Sequence, residues 1–217
     1  MERSITFNYT ANYFISGTIN AQTDEIWFVL HGYGQLPKYF IKKFHAICSD
    51  KLVVVAPGGL SRFYLEGHNG RVGSTWMTSE NRLLDIDNYV NYLQSVYEDV
   101  MRHTKKGKVK ITLLGFSQGG ATVNRWIQSF NNKFERLILW AASFPYDMDV
   151  ANLGLKLSGK KLQIVIGTKD ELVNETRQNE QKDYIHKMGI HAEFIFFEGG
   201  HDIHRDTLIR IAHENKL

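Results

Sequence analysis

The feature that most restricts the fold of this chain is a regular alternation of short apolar runs with longer amphipathic stretches. Six runs have the β-branched and aromatic content of buried strands, at residues 26–30, 52–56, 109–114, 137–141, 162–166 and 192–197. Helical patterns lie between or after them, at residues 38–48, 81–101, 118–130, 175–188 and 207–214. This order is typical of βαβ crossovers, which build a mostly parallel sheet with helices on both faces.

The N-terminal region departs from that alternation. Alternating patterns at residues 5–9 and 13–18 predict a short antiparallel strand pair. No repeat, low-complexity tract or linker interrupts the 217 residues, and at roughly 150 residues per domain this length favours one domain spanning residues 1–217. The sequence therefore predicts a single α/β domain whose sheet is mostly parallel.

The apolar run at 109–114 leads directly into the pattern G-x-S-x-G, formed by Gly115, Ser117 and Gly119. Between a strand and a helix, this pattern predicts a sharp turn that exposes the serine hydroxyl and needs small residues on both sides. The helix that follows points its free N–H groups at any negative charge that forms there. The alternative is a glycine-rich turn in which Ser117 only caps the helix.

A serine hydroxyl is a weak nucleophile, so it needs a base, and the base needs an acid that orients it. Ligands bind at the carboxyl ends of parallel strands, so the residues after later strands are the candidates. Asp170 follows the run at 162–166, and His201 follows the run at 192–197 through two glycines. We assign them as acid and base. Three other carboxylates stay open as the acid, namely Glu171, Asp147 and Asp149.

An oxyanion hole would complete such a site, and two backbone N–H groups are candidates for it. One belongs to Gln118, directly after the serine, and the other to Tyr33 in the turn His31-Gly32-Tyr33-Gly34 that follows the first parallel strand. The alternative for residues 31–34 is a plain glycine turn. The other three elements of the site favour the oxyanion role.

Four motifs together resemble the carboxylesterase and acyl-protein thioesterase branch of the α/β-hydrolases. They are LHGYG at 30–34, GFSQGG at 115–120, GTKDELV at 167–173 and GGH at 199–201. The resemblance extends from about residue 26 to the end of the chain. It implies the α/β-hydrolase fold with a minimal cap or none, a triad of Ser117, Asp170 and His201, and oxyanion donors at Tyr33 and Gln118.

The chain departs from this resemblance at two places. Many relatives carry an acidic residue or a second glycine where this chain has Gln35. The segment 58–76 stands where relatives carry a loop across the active site, and its aromatic residues predict the walls of an open cleft. We assign substrate binding to Gly32, Phe63, Tyr64, Trp76 and Val173.

Other kinds of site have little support in the sequence. The H-x-x-H pattern at His201 and His204 is too sparse for a metal, and neither HExxH nor a glycine-rich phosphate loop occurs, so we expect no metal and no cofactor. The net charge of +3 is spread over many positions, which does not indicate nucleic acid. The densest basic stretch is expected to be a solvated turn, at Lys105, Lys106, Lys108 and Lys110.

Cysteine content and hydropathy bear on the compartment. Cys48 is the only cysteine, which excludes an internal disulfide and suits a reducing compartment. No window approaches the roughly 18 apolar residues that a membrane-spanning helix needs, and no apolar core of signal-peptide length follows Met1. We expect a cytoplasmic protein without a membrane span. The sequence leaves a homodimer open.

These patterns predict a serine hydrolase that cleaves carboxylic esters or thioesters of short to medium acyl groups through an acyl-enzyme intermediate. The expected acyl length follows from the short connection 142–161, which has no room for the helical cap of many lipases. Two alternatives remain open. A small-molecule peptidase or amidase would use the same residues, and a non-catalytic protein of this fold would only bind its ligand.

Overall fold

The structure is a computed structural model that describes residue 1 and residues 3–104 and 109–214. Its strands are β1 (Tyr13–Ser16), β2 (Glu25–Leu30), β3 (Leu52–Pro57), β4 (Ser61–Tyr64), β5 (Val72–Thr75), β6 (Lys110–Phe116), β7 (Arg136–Trp140), β8 (Lys161–Gly167) and β9 (Glu193–Phe197). Its helices are α1 (Pro37–Phe40), α2 (Arg82–Arg102), α3 (Gln118–Ser129), α4 (Val150–Leu157), α5 (Glu175–Met188) and α6 (Arg205–His213). A 3-10 helix (Ile41–Ile47) continues α1.

A seven-stranded sheet in the order β1-β3-β2-β6-β7-β8-β9 forms the centre of the molecule. Strand β1 is antiparallel to β3, and the remaining neighbours are parallel. Every residue of β2, β3 and β7 is buried, as expected for strands covered on both faces. Helices α2 to α5 contact one another in succession, whereas α6 packs on the 3-10 helix. The predicted α/β class is confirmed.

The N-terminal strand has a different partner from the predicted one. Residues 5–9 form no strand, and β1 pairs with β3 instead, with Tyr13 opposite Pro57. Two bonds to α2 fix its position, because the Tyr13 hydroxyl donates to Asp99 and the Tyr92 hydroxyl donates to the carbonyl of Asn12 at 2.8 Å. Contacts with distant parts of the chain therefore decide the pairing of β1, and the local alternation of apolar and polar residues does not predict them.

The sequence patterns miss two elements. Strands β4 and β5 form a separate antiparallel hairpin, with Ser61 opposite Thr75, inside the segment expected to be a loop. Helix α4 lies between β7 and β8, and its first turn is capped by Asp149, whose carboxylate accepts from the Asn152 N–H at 3.0 Å. The basic residues Lys105, Lys106 and Lys108 lie outside the described residues, and Lys110 begins β6.

Among the helices in the described ranges, none is long and apolar enough to cross a membrane. The 21-residue helix α2 illustrates the reason, because acidic and basic residues such as Asp85 and Arg102 interrupt its sequence.

A buried ion pair closes the amino end of the sheet. Arg136, at the start of β7, is 1% exposed and lies 3.1 Å from the Glu25 carboxylate at the start of β2. The same carboxylate oxygen accepts from the Trp27 indole and the Thr112 hydroxyl, both at 2.7 Å. Arg136 also donates to the carbonyl of Ile211 in α6 at 2.9 Å. Burial lowers the pKa of Arg136, and the charge of Glu25 opposes that effect.

This arrangement predicts a large effect when one partner is removed. Glu25→Ala should lower the free energy of unfolding by about 3 kcal/mol or more, because it leaves the Arg136 charge buried without its counter-charge. The double variant Glu25→Leu/Arg136→Met should recover part of the loss. Denaturant unfolding measures both. Glu66→Ala, which breaks an exposed ion pair with Arg71, is the control and should change nothing measurable. A Glu25→Ala variant as stable as this control would contradict the prediction.

Candidate active site

Ser117 lies in the tight turn between β6 and α3, with a backbone φ of 53° and ψ of −119°. A positive φ is strained for a residue with a Cβ, so the surrounding packing must enforce it. That packing is visible at Gly119, where a Cβ would lie 2.2 Å from the carbonyl oxygen of Leu30 in β2. A Cβ at Gly115 would lie 2.4 Å from the Gly119 carbonyl. Both glycines of the G-x-S-x-G pattern are therefore required by close backbone contact.

Asp170 and His201 form a hydrogen bond at the same edge of the sheet. The distance from His201 Nδ1 to Asp170 Oδ2 is 2.8 Å. The Asp170 side chain is fully buried, and its other oxygen accepts from the backbone N–H of Leu172 at 2.9 Å and of Val173 at 3.3 Å. An ionised carboxylate only accepts, so this bond assigns the proton to Nδ1 and leaves Nε2 free to act as a base.

Backbone bonds between the two loops set the position of this pair. The Thr168 N–H donates to the carbonyl of Phe197, and the Lys169 N–H donates to the carbonyl of Gly199, both at 2.9 Å. The ring of Phe116, the residue before Ser117, lies 5.1 Å from the His201 ring, centroid to centroid. The structure thus brings the predicted nucleophile, acid and base to one edge of the sheet.

The three other carboxylates have different roles. Asp147 pairs with the guanidinium of Arg125 at 2.8 Å and also contacts Arg82, so its oxygens are already engaged. Asp149 caps α4, as described above, and Glu171 is exposed. Of the four candidates, Asp170 is the one that contacts His201.

The turn after β2 lies beside the serine. A Cβ at Gly32 would lie 3.2 Å from the Cβ of Ser117. Within residues 3–104 and 109–214, neither the Tyr33 N–H nor the Gln118 N–H donates to a protein acceptor. Two free backbone donors next to a serine hydroxyl are the arrangement that an oxyanion hole requires.

His31 stabilises this turn through buried hydrogen bonds, a role that the LHGYG motif does not predict. The imidazole is fully buried, its Nε2 accepts from the Gly59 N–H at 2.9 Å, and its Nδ1 donates to the Gly32 carbonyl at 2.7 Å. The Ser74 hydroxyl oxygen lies 3.1 Å from Nε2. Burial lowers the pKa of His31 to about 4, so the ring is neutral at pH 7.

Gln35 closes the same turn. Its side-chain oxygen accepts from the Gly32 N–H at 2.9 Å, and its own N–H donates to the Gly32 carbonyl at 3.2 Å. Gln35 therefore holds both the N–H and the carbonyl of Gly32, the residue before Tyr33.

The predicted substrate-binding residues separate into two groups. Gly32 lies beside Ser117, Tyr33 and Phe63 pack their rings 5.2 Å apart, and Tyr64 is 48% exposed. Trp76 is only 1% exposed, so the expectation that it lines an open cleft is wrong. Its ring stacks on His31 at 4.9 Å, and its indole N–H donates to the His31 carbonyl. Val173 is also buried, and its N–H holds Asp170.

The described residues offer neither a metal site nor a reactive thiol as an alternative to this site. The described part of the chain contains no group of three or more His, Cys, Asp or Glu side chains that could hold a metal ion. Cys48 is half-buried, and burial raises the pKa of its thiol, which lowers the fraction present as the reactive thiolate.

Comparison with known protein families gives a match to a family of serine hydrolases. The sequence profile of the family described as serine hydrolase (FSH1) matches residues 25–210. That range includes all of the site residues described above. No curated protein sequence matches the chain.

Solved structures of several hydrolases are similar to the whole chain. Esterase PE8 is 19% identical with a TM-score of 0.70, over 96% of this chain and 99% of that one. Acyl-protein thioesterase 2 of Zea mays is 13% identical with a TM-score of 0.72, over 95% and 98%. A Bacillus cereus carboxylesterase is 14% identical with a TM-score of 0.68, over 95% and 93%. The α/β-hydrolase fold implied by the four motifs is confirmed.

The buried histidine predicts how stability depends on pH. Above about pH 6.5 His31 is neutral in both the folded and the unfolded chain, and its contribution to the free energy of unfolding is fully present. Between about pH 6.5 and 4 only the unfolded chain takes up the proton at His31, so the free energy of unfolding falls. The loss attributable to His31 over this range is about 3 kcal/mol. His31→Gln should flatten the dependence in denaturant unfolding, whereas His68→Gln, at an exposed position, should not. Equal slopes for His31→Gln and the unmodified chain would contradict this.

Proposed function

The chain belongs to the FSH1 family of serine hydrolases, and from this premise we propose that it cleaves carboxylic esters or thioesters through an acyl-enzyme on Ser117. The observation that carries the proposal is the 2.8 Å bond between His201 and the buried Asp170, at the same sheet edge as the turn that carries Ser117. This combination supports the assignment of Ser117 as nucleophile, His201 as base and Asp170 as orienting acid, the three groups that acyl transfer needs.

In the acylation step, His201 Nε2 takes the proton of Ser117 as the hydroxyl oxygen attacks the carbonyl carbon. The electron pair of the C=O bond moves to the oxygen, where the N–H groups of Tyr33 and Gln118 stabilise the charge. When the carbonyl reforms, the bond to the leaving oxygen or sulfur breaks, and that atom receives the proton from His201. Ser117 is left carrying the acyl group.

Deacylation repeats the sequence with water as the nucleophile. His201 takes a proton from the water as its oxygen attacks the acyl carbon, and the same two N–H groups stabilise the oxyanion. Collapse then breaks the bond to the serine oxygen, which recovers its proton from His201, and the carboxylic acid leaves. Asp170 stabilises the imidazolium in both steps, because two backbone N–H groups hold its carboxylate in place.

The acyl group of the proposed substrate lies against an open aromatic surface. Tyr33, which follows Gly32 in the turn next to Ser117, is 61% exposed, and its ring packs on that of Phe63 in the β4–β5 hairpin. Helix α4, in the connection where many lipases build a cap, packs on α3 and α5. At Gly154 of α4 a Cβ would lie 2.8 Å from the Met188 carbonyl of α5, so the connection lies against the helical layer. Such a surface suits short and medium acyl groups.

Active-site labelling tests the proposed triad. A fluorophosphonate should modify Ser117 covalently, and Ser117→Ala should lose the label while keeping its melting temperature. Asp170→Asn should lower kcat for p-nitrophenyl butyrate by about 10⁴, since an amide can hold the imidazole in the wrong tautomer. Glu171→Gln, the neighbouring exposed carboxylate, is the control and should retain activity. Label on another serine, found by peptide mapping, would reject the proposal, and hydrolysis of aminoacyl anilides in preference to esters would favour an amidase.

A series of p-nitrophenyl esters tests the open acyl surface. Each added CH₂ should raise kcat/KM by up to about fourfold over the first few carbons, and the increase should stop once the chain extends beyond Tyr33 and Phe63. Phe63→Ala should reduce the slope over the short esters. Phe196→Ala, which removes an exposed ring on β9, serves as the matched control. Activity that continues to climb to sixteen carbons, or an unchanged slope in Phe63→Ala, is the result that the proposal does not allow.

A further inference from the structure

Strand β5 contacts both halves of the proposed oxyanion hole, although it lies outside the main sheet. On one side it bonds to the turn that carries Tyr33. The Gly34 N–H donates to the Ser74 carbonyl at 2.9 Å, and the Ser74 hydroxyl and N–H both donate to the Gln35 carbonyl, at 2.8 and 3.3 Å. A Cβ at Gly73 would lie 2.5 Å from the Gly34 carbonyl, so the two backbones are in direct contact.

The side chain of Gln118 makes the connection on the other side. Its Nε2 donates to the Thr75 hydroxyl and to the Met77 carbonyl, both at 2.9 Å. Its Oε1 accepts from the Trp76 N–H at 3.2 Å. Both polar atoms of this amide are therefore used, and their partners are the last residue of β5 and the two residues that follow it.

These contacts fix the geometry of two donors that are distant in the sequence. The turn that carries the Tyr33 N–H is held by bonds to Ser74, and the residue that carries the Gln118 N–H is held through its side chain by residues 75–77. Oxyanion stabilisation depends on donors that already stand in the correct place before charge develops. The distance between the two donors therefore depends on β5.

We propose that the side-chain amide of Gln118 is a positioning residue that, together with β5, sets the spacing of the oxyanion hole. The proposal rests on the proposed function, since it assigns an oxyanion role to the Tyr33 and Gln118 N–H groups. It adds a role for the side chain, which the position of Gln118 after the nucleophile does not by itself require. Removal of the amide leaves both N–H groups present but releases one of them from its support.

The consequence for catalysis is specific to the transition state. A ground-state ester places little charge on its carbonyl oxygen, so misplaced donors change substrate binding little. The tetrahedral intermediate carries a full charge, and a small misplacement of a donor can cost about a hundredfold in rate. A loss caused by poor positioning therefore falls on kcat, whereas a loss of general packing lowers the melting temperature.

The test compares Gln118→Ala with Gln128→Ala. Gln128 lies on the same helix and its side chain also donates to a carbonyl, that of Asp149 at 3.1 Å, so it is a matched control. With p-nitrophenyl butyrate, Gln118→Ala should lower kcat by about tenfold to a hundredfold and change KM less than threefold. A trifluoromethyl ketone with the same acyl chain, which forms a tetrahedral adduct, should bind more weakly by the factor lost in kcat/KM.

Thr75→Val provides a second measurement if Gln118→Ala unfolds. It removes one acceptor of the Gln118 amide at similar volume and should give the same pattern with a smaller loss. A normal kcat in both variants, a loss confined to KM, or an equal loss in Gln128→Ala would overturn the proposal. Fluorophosphonate labelling of the unmodified protein separates the two levels. Labelled, active protein with unaffected variants refutes only the positioning role, whereas absence of label at Ser117 refutes the proposed function and this inference together.

Discussion

The contact between the backbone of Gly119 and the end of β2 is the constraint on which the candidate site depends. It presses the start of α3 against the neighbouring strand so closely that no side chain fits between them. The chain can leave β6 only through a reversed backbone at Ser117, which directs the serine to the carboxyl edge of the sheet. The turn after β2 then lies next to the serine, because the contact itself is made by β2. The parallel arrangement of β8 and β9 brings Asp170 and His201 to the same edge.

The two ends of the sheet stabilise their buried polar groups in different ways. At the amino end, an arginine and a glutamate are buried as an ion pair, with hydroxyl, indole and carbonyl partners around them. At the carboxyl end, His31 is buried in its neutral form, and Asp170 is held by two backbone N–H groups and by His201. The amino end therefore connects strands β2 and β7 to α6, whereas at the carboxyl end the same kind of interaction orients single groups within loops.

The sequence is most informative where function and local geometry require the same residues. The G-x-S-x-G pattern identifies Ser117 because the turn needs glycine on both sides, and strand order places Asp170 and His201 after later strands. Interactions between distant segments are beyond local patterns. The aromatic residues of the segment 58–76 predict that Trp76 is a wall of the cleft. In the structure Trp76 directly follows β5, and its ring stacks on His31. The runs SRFY and VGST on either side of Gly67 and Gly70 could have indicated that hairpin. Nothing local identifies β3 as the partner of β1.

The two strands of the β4–β5 hairpin have different surroundings, and this has a consequence for how such a protein can diverge. The inner strand β5 is packed against two backbone turns, so almost every change there disturbs them. The outer strand β4 carries the half-buried ring of Phe63 and the exposed ring of Tyr64, and the connection at residues 65–71 is exposed along its whole length. Substitutions, insertions and deletions can accumulate in that outer half while the inner half stays constant. Substrate range can therefore evolve by exchange of a few residues in one hairpin, without rebuilding the site.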